Sequence, residues 1–104
     1  MSYYGVDPSD AEPIALVAPP VATNAGADTP LTFARQCHHF TLQNKTAANV
    51  YWWRDGVASL GSFLLAAGQT AFIDKPVTVL HLYTVAAENI NGTADLNIVV
   101  DGSA

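Results

Sequence analysis

Charge is scarce in this chain. Of its 104 residues only 12% are Asp, Glu, Lys or Arg, against roughly 25% in ordinary globular domains. The basic residues are four, Arg35, Lys45, Arg54 and Lys75, and with nine acids they leave a formal net charge of -5. Nucleic-acid binding needs clustered cations to displace counterions from phosphate, so no nucleic-acid partner is expected. Cysteine is almost absent: Cys37 is alone, so no internal disulfide can staple the fold, and it reads as a buried thiol. Long apolar runs are missing too. Ile14 to Ala22 is broken by Pro19-Pro20 and Leu60 to Ala67 is short, whereas a membrane helix needs about 18 or more apolar residues. No membrane partner is expected. The first charges are Asp7, Asp10 and Glu12; with no basic stretch ahead of an apolar run, the start does not read as a signal peptide.

Half of the residues are apolar and mean hydropathy is +0.20. The length supports one hydrophobic core. Residues 1–34 hold five of the six prolines (Pro8, Pro13, Pro19, Pro20 and Pro30), four acids and no base, which is -4 of the charge. Residues 35–104 set five acids against four bases, leaving -1. Proline fixes φ and holds the preceding residue extended, so residues 1–34 are read as an extended N-terminal arm. Tyr3, Tyr4, Ile14, Leu16 and Val17 are more apolar than a disordered tail normally is, which suits an arm that orders against a partner subunit. Residues 35–104 are read as a domain that folds without it.

That domain reads as strands and turns. Cys37 to Gln43 alternates, with Phe40 and Leu42 on one face. Val50 to Arg54 is a second strand, rich in aromatic residues of high β-propensity. Asp55-Gly56 supplies the positive φ of a type I′ turn and predicts a hairpin at Trp53 and Val57. Ala67-Gly68 is a turn between strands at 62–66 and 69–74, and Lys75-Pro76 ends the pairing. Thr78 to Val85 is apolar on both faces, which predicts a central strand or one covered by another subunit. Asn91-Gly92 leads into Thr93 to Val100, with Ala94, Leu96, Ile98 and Val100 inward and Asp95, Asn97, Val99 and Asp101 outward. The fold class expected is all-β: a small antiparallel β-sandwich or barrel of six to seven strands. Without disulfide or metal a unit of this size is marginal, so a homo-oligomer or a place in an assembly is expected.

Chemistry is hard to place. Cys37, His38, His39 and His81 are the soft ligand candidates, but neighbouring strand residues point to opposite faces, so too few ligands converge for zinc. His38 is read as packing beside Phe40. Ser9, Ser59 and Ser62 lie in no nucleophile context. No enzyme activity and no cofactor are expected. Trp53 and Tyr51 share a face opposite to Trp52 and offer aromatic surface for packing, for a subunit contact or for sugar stacking. Asn44-Lys45-Thr46 and Asn91-Gly92-Thr93 match the glycosylation sequon and are also ordinary turn sequences. The candidate interface residues are Tyr3, Tyr4, Ile14, Leu16, Val17, Trp53, Val79, His81 and Tyr83.

The stretches Phe40-Thr41-Leu42-Gln43-Asn44-Lys45-Thr46, Val50-Tyr51-Trp52, Ser62-Phe63-Leu64-Leu65-Ala66-Ala67-Gly68-Gln69-Thr70, Val79-Leu80-His81-Leu82 and Ala94-Asp95-Leu96-Asn97-Ile98-Val99-Val100 resemble the small β-sandwich virion proteins of tailed bacteriophages, capsid decoration (cement) proteins above all. The resemblance spans residues 37–100. It implies a non-enzymatic virion protein, commonly a trimer, that binds the major capsid protein or other virion subunits and stabilises the assembled shell. A tail, neck or fibre component shares this texture, as does a carbohydrate-binding or adhesion sandwich.

Overall fold

A computed structural model describes residues 12–18, 20–92 and 97–104 of the chain. Tyr3 and Tyr4 lie outside the described residues. Eight strands are named: β1 (Pro13–Ile14), β2 (Ala27–Cys37), β3 (His39–Asn44), β4 (Val50–Trp53), β5 (Phe63–Leu65), β6 (Thr70–Ile73), β7 (Val77–Thr84) and β8 (Ile98–Ser103). They form two four-stranded sheets, ordered β1-β8-β3-β6 and β2-β7-β4-β5, with every pairing between named strands antiparallel. The fold is a small all-β sandwich.

Alternation builds the core. Leu31 and Phe33 of β2, Phe40 and Leu42 of β3, Leu80 and Leu82 of β7, and Ile98 and Val100 of β8 are buried between the sheets, because period-2 residues share a face. Trp52 is buried with its ring edge-on to Phe40, centroids 5.8 Å apart. Cys37 packs over Gly102, where a Cβ would stand 2.6 Å from both the Cys37 sulfur and a Phe33 ring carbon. Only glycine lets β2 and β8 approach this closely.

Burial of polar groups follows a partner rule. Asn44, fully buried at the end of β3, donates through Nδ2 to the carbonyls of Ala48 and Leu65 at 2.7 and 2.9 Å. Its Oδ1 accepts from the Thr46 N–H at 3.0 Å and lies 2.6 Å from the Thr46 hydroxyl. One side chain thus joins β3, the 45–48 turn and β5 of the other sheet. The sequon reading of Asn44 has no exposed amide to act on. Asn91, at φ 50, clamps Val100 through both backbone groups, its Nδ2 donating to O at 3.1 Å and its Oδ1 accepting from N at 2.8 Å.

Several expectations are corrected. The boundary at residue 34 falls inside β2, and the described residues 12–18 and 20–34 include strand and core residues of the sandwich. Ile14 is buried in the core, and half-buried Leu16 packs against it. The segment is tied to both sheets: Pro13 and Ile14 pair with Ser103 and Gly102, while Leu16 bridges Phe33 and Val17 N–H donates to the Thr32 carbonyl at 2.7 Å. Prolines misled the reading. Pro30 sits in β2 because β2 is an edge strand, the place where a missing N–H is tolerated. Asp55-Gly56 does not close a hairpin: neither residue has positive φ, and the chain runs on to Phe63 before pairing with β4. The turn at Gly68, φ 79, passes from β5 in one sheet to β6 in the other. The last strand begins at Ile98, and Asn97 is buried rather than outward; residues 93–96 lie outside the described residues. β7 is central between β2 and β4, as the sequence pattern predicts.

Candidate functional site

Opposite residues in an antiparallel ladder share a face, so the register maps the outer surface of the β2-β7-β4-β5 sheet. Leu64, Tyr51, Tyr83 and Asp28 form one row across the four strands; Trp53, His81 and Pro30 form the next; Val79 and Thr32 form a third. Of the sequence-derived interface residues, the structure brings Trp53, Val79, His81 and Tyr83 together here. All four are half-buried, while Val17 is exposed elsewhere, beside β2. Tyr51 and Tyr83 meet edge-on, centroids 6.2 Å apart.

The chain itself covers part of this face. His81 Nδ1 lies 2.9 and 3.1 Å from the two Asp28 carboxylate oxygens, and Asp28 Oδ1 also accepts the Ala58 N–H at 2.9 Å. Asp28 is two strands away from β4, so the segment 54–62 leaves Trp53, reaches across β7 to Asp28 and returns to β5. Ala58 is buried beneath it. This is why a strand apolar on both faces does not need a second subunit to cover all of its outer side.

That crossing loop is held in shape. Ser59 N–H donates to Ser62 Oγ and Ser62 N–H to the Ser59 carbonyl, each at 3.0 Å, and Gly61 N–H donates to Ser59 Oγ at 3.2 Å. Arg54 donates from Nη1 to the Pro76 carbonyl at 3.1 Å. On this frame and on the adjoining β5 four apolar side chains are exposed: Val57 is 74% exposed, Leu60 60%, Phe63 55% and Leu64 54%. Phe63 lies against both tryptophans, 4.9 Å from the Trp52 ring and 5.3 Å from the Trp53 ring. Trp53, Val57, Phe63 and the serines 59 and 62 line a cleft of about 290 Å³.

Sequence reasoning found Trp53 here and missed Val57 and Leu60, because an apolar loop residue has no period to give it away; it placed Phe63 and Leu64 on a strand but not their exposure, because a three-residue edge strand is too short to show which side is covered. It also missed Asp28, which lies 53 positions from His81.

The soft ligand candidates do not converge. Cys37 is fully buried, and burial pushes its thiol pKa up from the ordinary 9.0, with the Arg35 charge pulling in the other direction. His38 is exposed rather than packed beside Phe40, because it sits at the corner between β2 and β3. His39 lies on β3 and His81 on the other sheet. Among the described residues no group of three or more His, Cys, Asp or Glu could hold a metal ion. No helix among them is long and apolar enough to cross a membrane.

Compared with known protein families, curated proteins and solved structures, the chain matches none.

Proposed function

We propose that this chain is a non-enzymatic structural assembly protein that docks through the crossing loop and the outer face of the β2-β7-β4-β5 sheet onto a protein lattice, as a capsid decoration protein does on the major capsid protein of a phage shell. The observation carrying this reading is the apolar cleft formed by Trp53, Val57 and Phe63, with exposed Leu60 and Leu64 in the same stretch of chain. Four exposed apolar side chains fall within eight consecutive positions, Val57 and Leu60 on a loop already fixed by its own hydrogen bonds and Phe63 and Leu64 on β5 beside it. A fixed loop loses little conformational freedom on binding, and a cluster containing a tryptophan and a phenylalanine is the usual composition of a hot spot.

Binding the assembled shell and not its free subunits stabilises the shell by mass action, and many copies multiply the effect. The virion is the proposed location. Cosedimentation with phage shells stripped of accessory proteins tests this: the protein pellets with shells, stays in solution with unassembled capsid protein, and loses at least tenfold in affinity on Leu60→Asp. Absence of pelleting with shells overturns it.

A second reading rests on the cleft itself. Trp53 and Phe63 present tilted rings, interplanar angle 37°, above two serine hydroxyls, the arrangement of stacking faces and polar groups that suits a sugar ring. Binding on a glycan array that disappears in Trp53→Ala would favour a carbohydrate-binding module.

A further inference from the structure

The edges of the two sheets are not treated alike. β1 begins with Pro13, which has no N–H to offer, and β2 carries Pro30, a register shift between Thr32 and Cys37 and the covering segment that ends at Val17. β5 is only three residues long. Proline, bulges, cover and brevity are the ways natural sheets blunt an edge. β6, four residues long, has no proline, bulge or cover: Thr70-Ala71-Phe72-Ile73 contains no charge and pairs in unbroken register with β3. Phe72 is 80% exposed, the highest exposure of any aromatic ring among the described residues.

The hydrogen-bond phase shows which backbone groups β6 leaves over. Asn44 N–H donates to the Gln69 carbonyl at 2.9 Å, and the β3–β6 register continues through Leu42 with Ala71 and Phe40 with Ile73. In an antiparallel ladder the bonded pairs alternate, so Gln69, Ala71 and Ile73 direct their backbone groups to β3. The Gln69 N–H is the exception, turned back to the Ala66 carbonyl at 3.0 Å, while Thr70 and Phe72 direct their groups away from β3, toward an edge with no strand partner among the described residues.

We infer that β6 is a strand-pairing site and that its occupant is β6 of a second copy, joined antiparallel about a two-fold axis at Ala71. Spaced N–H and C=O groups along an extended edge are satisfied by another extended backbone. A symmetric partner requires outward-directed residues to face each other, and the register with Ala71 on the axis sets Thr70 of each copy opposite Phe72 of the other. The two Phe72 rings are then diagonal neighbours on one face, within aromatic reach. Asp74 and Lys75, which follow β6, fall opposite Gly68 and Ala67 of the second copy rather than opposite a like charge. Isologous contacts of this kind close at two, so the product is a dimer joined through a continuous eight-stranded sheet. Four residues form a small interface, so the association is weak and concentration-dependent.

The inference is independent of the shell-docking surface, and its test uses the full chain alone. At about 1 mM, a concentration that populates even weak complexes, sedimentation equilibrium is expected to approach twice the 11.0 kDa chain mass. The amide proton resonances of Thr70 and Phe72 shift downfield with concentration, while those of Ala71 and Ile73 do not. Phe72→Lys places a charge on the edge, and Thr70→Pro removes an N–H that β3 does not use; each variant stays monomeric with an unchanged circular dichroism spectrum. A chain that remains monomeric at about 1 mM, a trimer mass, or a dimer that persists in whichever of the two variants is folded overturns the inference.

Discussion

Gly102 has no room for one more methyl group. A Cβ there would overlap both the Cys37 sulfur and the Phe33 ring, and overpacking of this kind costs about 1–3 kcal/mol. Gly102→Ala is therefore expected to lower the thermal midpoint by several degrees, with part of the loss recovered when Cys37→Ala is added; additive losses in the double variant would contradict the contact. Asn44 carries a second residue-level prediction. Asn44→Ala takes the side-chain partner from the Leu65 carbonyl and the Thr46 N–H, while the Ala48 carbonyl keeps the Thr46 hydroxyl at 3.1 Å; the cost is about 2–4 kcal/mol, and Asn44→Asp costs at least as much because an oxygen replaces the donating Nδ2. Urea titration measures both. Cys37 links stability to pH. Its folded pKa is raised by burial, so above the ordinary value of 9.0 the unfolded thiol ionises while the folded one does not, and unfolding becomes more favourable as pH rises. The difference in stability between the natural chain and Cys37→Ala should stay level below pH 8 and shift against the natural chain above pH 9. At this scale the core was readable where polar residues separate apolar ones, as at Phe40 and Leu42. The same alternation at Leu31 and Phe33 was concealed by Pro30, and the His81 pairing with Asp28 depends on a register that no local pattern contains.

Among elements, the N-terminal segment departs most from the sequence reading. Composition separates residues 1–34 from the rest, yet Ile14, Leu31 and Phe33 are core residues, because burial is decided by where a side chain lands and not by how many prolines surround it. β2 supplies the longest pairing of the sandwich, running beside β7 from Ala27 to Cys37. Removal of residues 1–34 is therefore expected to abolish the cooperative unfolding transition; a folded, cooperative 35–104 fragment would show that the segment is an appendage after all. The Asp55-Gly56 expectation failed for a related reason. A turn dipeptide proposes a hairpin, but Ala58 is drawn across the sheet by Asp28, and the 54–62 segment becomes a crossing loop. β7 was legible as central because both of its faces are apolar; the loop that covers it was not.

For the whole molecule, low charge and high apolar content point to a surface made to be covered, and the structure gives that surface a location. Exposed apolar side chains gather on the crossing loop and β5 of one sheet, while an unblunted edge belongs to the other. Assembly is the proposal that unites them. The most direct test is cosedimentation of the natural chain, Leu60→Asp and Phe72→Lys with stripped phage shells, each variant first shown to be folded. The account predicts that the natural chain pellets with shells, that Leu60→Asp remains in solution, and that Phe72→Lys still binds through its intact loop. Equal pelleting of the natural chain and Leu60→Asp, or no pelleting by any of the three, would contradict it.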